Sequence, residues 1–315
     1  MVEGKHQWKA WLYLAPALIL LLIFTAWPIV NTIRIAFLEG YDINKQLGGA
    51  HFEFGFQNFV DIIEFPNFLT CLKNTVLLCV ITVPLSTIIA LLIAVCLNSI
   101  KPLNKTLQTI YFLPYVTNSI AIGMVFFQMF NIIGSQYLGK PQADRFVIHG
   151  IVNHLLMFLN IEPINWINAG SSYGANLATM VIYIVWNALP FKILILLGGL
   201  QSVNKQYYDA AKVDGTSRAR TLWRITVPLL SPMIVYVVIT GFIGGFKEYT
   251  SVVGIFGESM GPAGNANRMD TMVGMIYNLI DSNQGKASAG ALILFGIILI
   301  VTLLNLYVSK KKTHY

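Results

Sequence analysis

A polar stretch between two apolar ones carries the residues best suited to specific contacts with a partner. Between Gln201 and Pro228, the chain places Asp209 directly before Ala210 and Ala211, and Gly215 follows four positions later. Carboxylates accept charge-assisted hydrogen bonds, exposed tyrosines are frequent interface anchors, and small residues permit close approach. The pattern therefore predicts a protein-docking surface, made by Tyr207, Tyr208, Asp209, Ala210, Ala211 and Gly215.

Local sequence predicts how this surface is built. Residues 204–213 are compatible with a short helix, and Gly215 can end it by adopting a positive φ. Thr216 or Ser217 can then cap a second short helix. Residues 201–226 are thus predicted to form a helix, a turn and a helix. The alternative is an ordinary amphipathic loop without a partner.

Other chemistry is not indicated by the sequence. The chain has no GxxxxGK[ST] motif, so it has no recognisable means of holding the phosphates of ATP. The cysteines Cys71, Cys79 and Cys96 have no CxxC spacing, and the five histidines are scattered. The sequence predicts no catalytic residues, no metal site and no cofactor bound by this chain.

The elements that position the docking surface are predicted to be membrane helices. The chain has 315 residues, of which 56% are hydrophobic and 11% charged, whereas soluble domains have about 25% charged residues. A spanning helix needs about 20 largely apolar residues. Six segments qualify, which predicts an all-α polytopic protein with a single domain over residues 1–315; they are residues 12–37, 74–97, 107–130, 176–200, 227–246 and 287–308.

Basic residues predict the orientation of these helices, because Lys and Arg concentrate on the cytosolic side of a membrane. With the amino terminus inside, both termini and the loop at residues 201–226 are cytosolic. No aromatic platform accompanies the basic residues of this loop, so no nucleic-acid partner is predicted. The cytosolic positive charges would be Lys5, Lys9, Lys101, Lys105, Lys205, Lys212, Arg218, Arg220, Arg224, Lys310, Lys311 and Lys312.

The loop resembles the cytoplasmic "EAA" loop of ABC importer permeases. In that loop an acidic residue, two alanines, a glycine and an Ile-x-Leu-Pro end stand at the spacings of Asp209 to Pro228. Two departures are mild, since Asp209 replaces the usual Glu and Val227 the usual Leu. Further signatures resemble the carbohydrate-uptake branch, of the maltose and multiple-sugar type: Trp11-Leu-Tyr-Leu-Ala-Pro16, Trp27-Pro28-Ile29, Asn74-Thr75, Phe112-Leu113-Pro114, Ile164-Asn165-Trp166 and Gly285-Lys286-Ala287-Ser288-Ala289.

The resemblance implies a transport function and a set of partners. The chain would be the permease of an ATP-driven importer in a prokaryotic plasma membrane, surrounded by membrane lipid. It would pair with a second permease and dock two ATPase subunits, which bind ATP and Mg. An extracellular substrate-binding protein would deliver a sugar or oligosaccharide. The residues from Asp209 to Gly215 would couple ATP hydrolysis to transport.

The resemblance also implies a substrate path along the fourth and fifth spans. Asn187 and Glu248 offer hydrogen bonds to hydroxyl groups, and Tyr183 or Phe191 an aromatic surface. Gly241 and Gly245 would leave room for the sugar, although a small-xxx-small pair more often marks close helix packing. Glu248 would otherwise lie at the outer interface. Lys192, inside the fourth span, is expected to extend its side chain to the cytosolic interface.

Alternative functions remain open at this point. The chain could be an ABC permease for a solute other than a sugar. A carrier driven by protons or sodium is a second possibility, but it should have paired acids or broken helices at mid-membrane. On the outer side, Gly257 to Asn267 is predicted to be a flexible loop and Thr271 to Ile280 a short helix.

Overall fold

The computed structural model describes residues 7–100, 104–134 and 147–312. Two of the basic residues used to predict orientation, Lys5 and Lys101, lie outside the described residues. Within those ranges the only strands are β1 (Ile132–Gly134) and β2 (Val147–His149), which pair antiparallel with Ile132 opposite His149. The rest of the regular structure is helical, so the all-α prediction is confirmed.

The helices occur both as long single rods and as short pieces. Short π-helical turns at Leu22–Ala26 and Leu222–Thr226 and a 3-10 turn at Gly257–Ser259 join some of them. In chain order the α-helices are α1 (Gln7–Leu21), α2 (Trp27–Ala36), α3 (Ile43–Leu47), α4 (Gln57–Ile63), α5 (Phe68–Ser99), α6 (Asn104–Val116), α7 (Ser119–Phe130), α8 (Ile151–Phe158), α9 (Tyr173–Ser202), α10 (Lys205–Val213), α11 (Arg218–Thr221), α12 (Val227–Leu229), α13 (Ser231–Phe246), α14 (Thr250–Phe256), α15 (Met272–Ile280) and α16 (Gln284–Lys312).

Four to six of the described segments are long and apolar enough to cross a membrane. Four are uninterrupted: Trp11–Ala36, Phe68–Ser99, Tyr173–Ser202 and Gln284–Lys310. The third and fifth predicted spans are each bent, by 103° between α6 and α7 and by 70° between α12 and α13. If each bent pair crosses the membrane once, the number of spans is the six that the sequence predicts.

The two bends have identifiable causes. Asn118 lies between α6 and α7 with an extended backbone, and its Oδ1 accepts hydrogen bonds from the amides of Ile120 and Ala121 at 2.8 and 3.4 Å. It therefore starts a new helix after the proline at position 114. The fifth span breaks at Leu230, between Pro228 and Pro232, each within the first turn of its helix.

The chain divides into two compact units. One comprises Met1–Phe68 and Met275–Gly296, and the other Leu69–Gly274 and Ile297–Tyr315. Compactness alone does not separate one folding domain from two, so the single domain over residues 1–315 stays a prediction. All the predicted site residues belong to the second unit.

Two apolar clusters hold the second unit together. In one, α7, α9 and α14 pack around buried Phe126, Met180 and Val252. Glycine permits the close approach of α7 to α14, because a Cβ on Gly123 would lie 2.5 Å from the Cα of Gly254. The other cluster joins α5, α9 and the fifth span. Its buried members are Ala90, Ala94 and Leu97 of α5, Ile193, Leu196, Leu197 and Leu200 of α9, and Leu230 and Val237 of the fifth span.

The loop from Gly257 to Asn267 makes several internal contacts. Ser259 Oγ lies 2.8 Å from the Phe256 carbonyl oxygen and 2.9 Å from that of Gly261, either of which can accept its one hydrogen. The amide of Asn267 donates to the Ser259 carbonyl at 2.7 Å. Met260 is 1% exposed. A buried side chain and backbone pairing thus hold a sequence rich in Gly and Pro, and its flexibility stays a prediction. The short helix after it is confirmed as α15.

Candidate functional site

Residues 201–226, called the coupling segment after their predicted role, form the predicted helix, turn and helix. Asn204 starts α10, since its Oδ1 accepts a hydrogen bond from the amide of Gln206 at 3.0 Å. Gly215 ends it with φ +65°, and the amides of Gly215 and Thr216 donate to the carbonyls of Lys212 and Ala211. This pair of bonds is the Schellman arrangement at a helix end. Ser217 caps α11.

The two sides of α10 have different surroundings. Ala211 is 5% exposed and packs within its own chain, while the Tyr208 hydroxyl accepts a hydrogen bond from Thr226 Oγ1 at 3.4 Å. Tyr207, Asp209 and Ala210 are exposed. The predicted docking residues are thus divided: these three are available to a partner, whereas Tyr208 and Ala211 hold α10 on its own protein.

Asp209 forms an exposed ion pair on this outer side. Its Oδ1 lies 3.2 Å from Lys212 Nζ, and the side chains are 69% and 77% exposed. Exposed pairs of this kind contribute little to stability, about 0–1 kcal/mol. Asp209 is therefore free to exchange this partner for another without loss of the fold.

A cavity of about 280 Å³ lies between α5, α6, α9 and α13. All the predicted path residues except Tyr183 line it, namely Asn187, Phe191, Gly241, Gly245 and Glu248. Tyr183 is fully buried, donates its hydroxyl to the Ser119 carbonyl, and packs on Phe126 with ring centroids 4.8 Å apart. It supports the core beside the cavity and does not line it.

The cavity also includes residues that sequence reasoning missed. The Tyr115 ring stacks on Phe191, with centroids 5.8 Å apart and planes at 20°. Thr82 and Ser86 stand one helical turn apart on α5, and this pair of hydroxyl groups in the mostly apolar middle of the helix was a usable signal. With Asn187 and Thr240, these groups offer hydrogen bonds next to an aromatic surface. That combination suits a solute with many hydroxyl groups.

Glu248 lies at one end of the lining and is held by backbone amides. Its Oε1 accepts hydrogen bonds from the amides of Tyr249 at 3.1 Å and Ser251 at 3.0 Å. The carboxylate thus has a fixed position at the start of α14. The structure places it in the cavity lining, where a bound hydroxyl group can reach it.

Lys192 does not extend to the cytosolic interface, and that expectation was wrong. The residue is 4% exposed, and its Nζ donates to the Val83 carbonyl and to the hydroxyls of Ser86 and Thr87 on α5. These polar acceptors lie within one turn of a neighbouring helix, within hydrogen-bonding distance of Nζ. Lys192 therefore crosses to α5 and lines the cavity.

The path glycines also serve helix packing. A Cβ on Gly245 would lie 2.8 Å from Cys79 Sγ, closer than side chains normally approach. Gly245→Ala is expected to lower the stability of the folded protein by about 1–3 kcal/mol, the usual cost of overpacking. Thermal unfolding in detergent measures this loss.

A matched variant tests the cause of this loss. Removal of the sulfur in Cys79→Ala leaves its Cβ at 3.4 Å, an ordinary contact. The double variant should recover most of the lost melting temperature, as coupled neighbours do. If Gly245→Ala melts like the unchanged protein, the close packing is not energetically important.

Comparisons with known proteins agree with this architecture. Residues 83–314 match the family described as "Binding-protein-dependent transport system inner membrane component". The chain is 30% identical to the inner membrane ABC transporter permease protein YcjO of Escherichia coli, over 94% of this chain and 92% of that protein. It is 28% identical to the lactose transport system permease protein LacF of Rhizobium radiobacter, over 96% and 94%.

Solved structures share the fold. A bacterial ABC transporter involved in the import of the acidic polysaccharide alginate superposes with a TM-score of 0.75 at 20% identity, covering 98% of each chain. The matched region of the family includes the coupling segment, most of the cavity lining and the last membrane helix. The chain is therefore a multi-pass membrane protein that belongs to the family of inner membrane permease components of binding-protein-dependent ABC transport systems.

Proposed function

We propose that this permease forms the path for a sugar or oligosaccharide in an ATP-driven importer. One observation carries the proposal: α9 supplies Asn187 and Phe191 to the cavity, and only Val203 and Asn204 separate its end from α10. A displacement of α10 by a partner would therefore reach the cavity through a single helix.

The proposed substrate class rests on the cavity and on the relatives. Hydroxyl-binding groups beside Tyr115 and Phe191 fit a sugar. Relatives at 28% identity are named for lactose and, in Bacillus subtilis, for arabinooligosaccharides. A relative at 24% identity, from Rhizobium meliloti, is named for sn-glycerol-3-phosphate, so a non-sugar solute is the alternative to be tested.

In the proposed assembly, other subunits bind ATP and deliver the substrate. Two ATPase subunits would bind ATP and Mg and dock on α10 here and on its counterpart in a second permease. An extracellular binding protein would deliver the substrate. This arrangement requires α10 and both termini to face the cytosol of a prokaryotic cell.

The test begins with purification of the chain from its native membrane in mild detergent. We expect an ATPase and a second permease to accompany it. The complex in liposomes, with its binding protein, should import lactose or an arabinooligosaccharide only when ATP is supplied. Uptake of sn-glycerol-3-phosphate alone would establish the non-sugar alternative. Uptake by the isolated chain, driven by a proton or sodium gradient, would refute the proposal.

A further inference from the structure

Lys192 is a buried cation whose hydrogen-bonding capacity is fully used by one neighbouring helix. Its Nζ lies 3.1 Å from the Val83 carbonyl oxygen, 2.8 Å from Ser86 Oγ and 2.9 Å from Thr87 Oγ1. An ammonium group has three N–H donors and no acceptor. Each donor thus has a partner on α5, although Lys192 itself belongs to α9.

The two hydroxyl acceptors on α5 are oriented by hydrogen bonds within their own helix. Ser86 Oγ donates its own hydrogen to the Thr82 carbonyl at 2.5 Å, and Thr87 Oγ1 donates to the Val83 carbonyl at 2.7 Å. With their hydrogens engaged, both hydroxyls offer lone pairs. The opposite helix leaves space for the ammonium group, because a Cβ on Gly241 would lie 3.2 Å from Nζ.

The charge on Lys192 is met by neutral oxygen atoms. Among the described residues no carboxylate forms an ion pair with it. A buried charge is costly unless polar groups compensate it, and in a membrane helix such a residue is a functional candidate by default. Separation of α9 from α5 at this point would leave the ammonium group without compensation. The contact therefore opposes independent movement of the two helices.

Both helices are weakened by proline close to this contact. Pro84 follows Val83 in α5, and Pro190 lies two residues before Lys192 in α9. Each proline removes a backbone hydrogen bond and favours bending. From here to the cytosolic side, buried Ala94 and Leu97 of α5 pack with Leu196 and Leu200 of α9.

We infer that Lys192 is a positioning residue that clamps α5 to α9, so that both helices move as one body when α10 is displaced. The clamp would carry the displacement past the two prolines to the cavity wall. The inference rests on the proposed importer function, because it assigns Lys192 a role in that coupling. A competing explanation is that the positive charge attracts an anionic solute into the cavity.

The experiment measures how readily a reagent reaches the cavity, so the identity of the transported sugar need not be known. Asn187→Cys is introduced with Cys71, Cys79 and Cys96 changed to serine, and the complex with its ATPase and second permease is reconstituted. A membrane-impermeant maleimide then reports how fast the cavity cysteine reacts with and without ATP. ATP hydrolysis is measured in the same samples. The reference complex must show an ATP-dependent change, and its absence would contradict the proposed importer function itself.

Two variants distinguish the role of Lys192 as a clamp from attraction of an anionic solute by its charge. Lys192→Met keeps a chain of similar length without donors, and it leaves the α5 hydroxyls hydrogen-bonded to their own helix. Thr87→Val keeps the charge and nearly the same shape but removes one acceptor. We expect the ATP-dependent change in labelling to fall roughly tenfold in Lys192→Met and roughly threefold in Thr87→Val, and Thr87→Val should retain ATP hydrolysis.

The outcomes are distinct. Loss of the ATP-dependent change in both variants supports the clamp. Normal change in both overturns it, and loss in Lys192→Met alone overturns it in favour of the charge. If Lys192→Met fails to assemble, Thr87→Val decides alone: reduced change supports the clamp, and reference behaviour refutes it.

Discussion

Gly215→Pro is expected to abolish ATP-coupled uptake while the protein remains in the membrane. Gly215 has φ +65°, whereas proline requires a φ near −65°, and its amide donates to the Lys212 carbonyl. The substitution removes this bond and redirects the chain between α10 and α11. The docking helix would then lie at a wrong angle, and we expect uptake to fall by on the order of a hundredfold.

Controls at the same loop separate geometry from charge. Gly215→Asn tolerates the left-handed backbone and should keep most of the activity. Asp209→Lys leaves α10 folded, because its ion pair with Lys212 is exposed, but it reverses the charge offered to the ATPase. We expect that variant to lose both uptake and the bound ATPase.

The measurements are uptake per ATP hydrolysed in liposomes and recovery of the ATPase on purification. A Gly215→Pro complex with unchanged coupling, together with an Asp209→Lys complex that retains its ATPase, would exclude this loop as the coupling element. Loss of the permease from the membrane would instead indicate a folding defect, so its abundance is measured first.

Gly244→Phe is expected to block uptake by filling the cavity. Gly244 lines the cavity, and a Cβ added there would meet no atom within 4 Å. The ring would therefore enter open space without forcing its neighbours apart, unlike a side chain at Gly245. In a cavity of about 280 Å³ little room would remain for a sugar. We expect uptake to fall at least roughly a hundredfold, with the complex still assembled.

A matched substitution controls for the added ring. Gly296 on α16 also has no atom within 4 Å of an added Cβ, and it does not line the cavity. Gly296→Phe should transport normally, and Gly244→Ala should lose only part of the uptake. The readout is initial uptake rate in liposomes beside the melting temperature. Normal transport by a stable Gly244→Phe complex would show that the substrate does not pass through this cavity.

Much of the coupling segment was predictable from sequence because its structure is local. Gly215 ends a helix through its own φ and through hydrogen bonds within a few residues, and Ser217 caps the next helix in the same way. The residues of the substrate path on α9 and α13 could also be predicted from the sequence. Helical spacing placed Asn187 and Phe191 on one face of α9, and Gly241 and Gly245 on one face of α13. The family resemblance indicated that these two helices line the path.

Other features depended on contacts between distant parts of the chain. Tyr183 and Asn187 are one turn apart on α9, yet the first packs on Phe126 in the core and the second lines the cavity. Lys192 was expected at the membrane surface, and the three acceptors on α5 that redirect it are more than a hundred residues away in sequence. Tertiary packing likewise decides that Ala211 is buried while Ala210 is exposed.

By itself, the sequence determined that this protein consists largely of apolar helices, with a short capped helix at residues 205–213, because hydropathy and capping act over one or two turns. Only the tertiary structure decided the members of the cavity and the partners of Lys192. Each of these depends on which helix faces pack together. A periodic pattern in the sequence predicts which residues share a face, but it does not predict the surface that this face contacts.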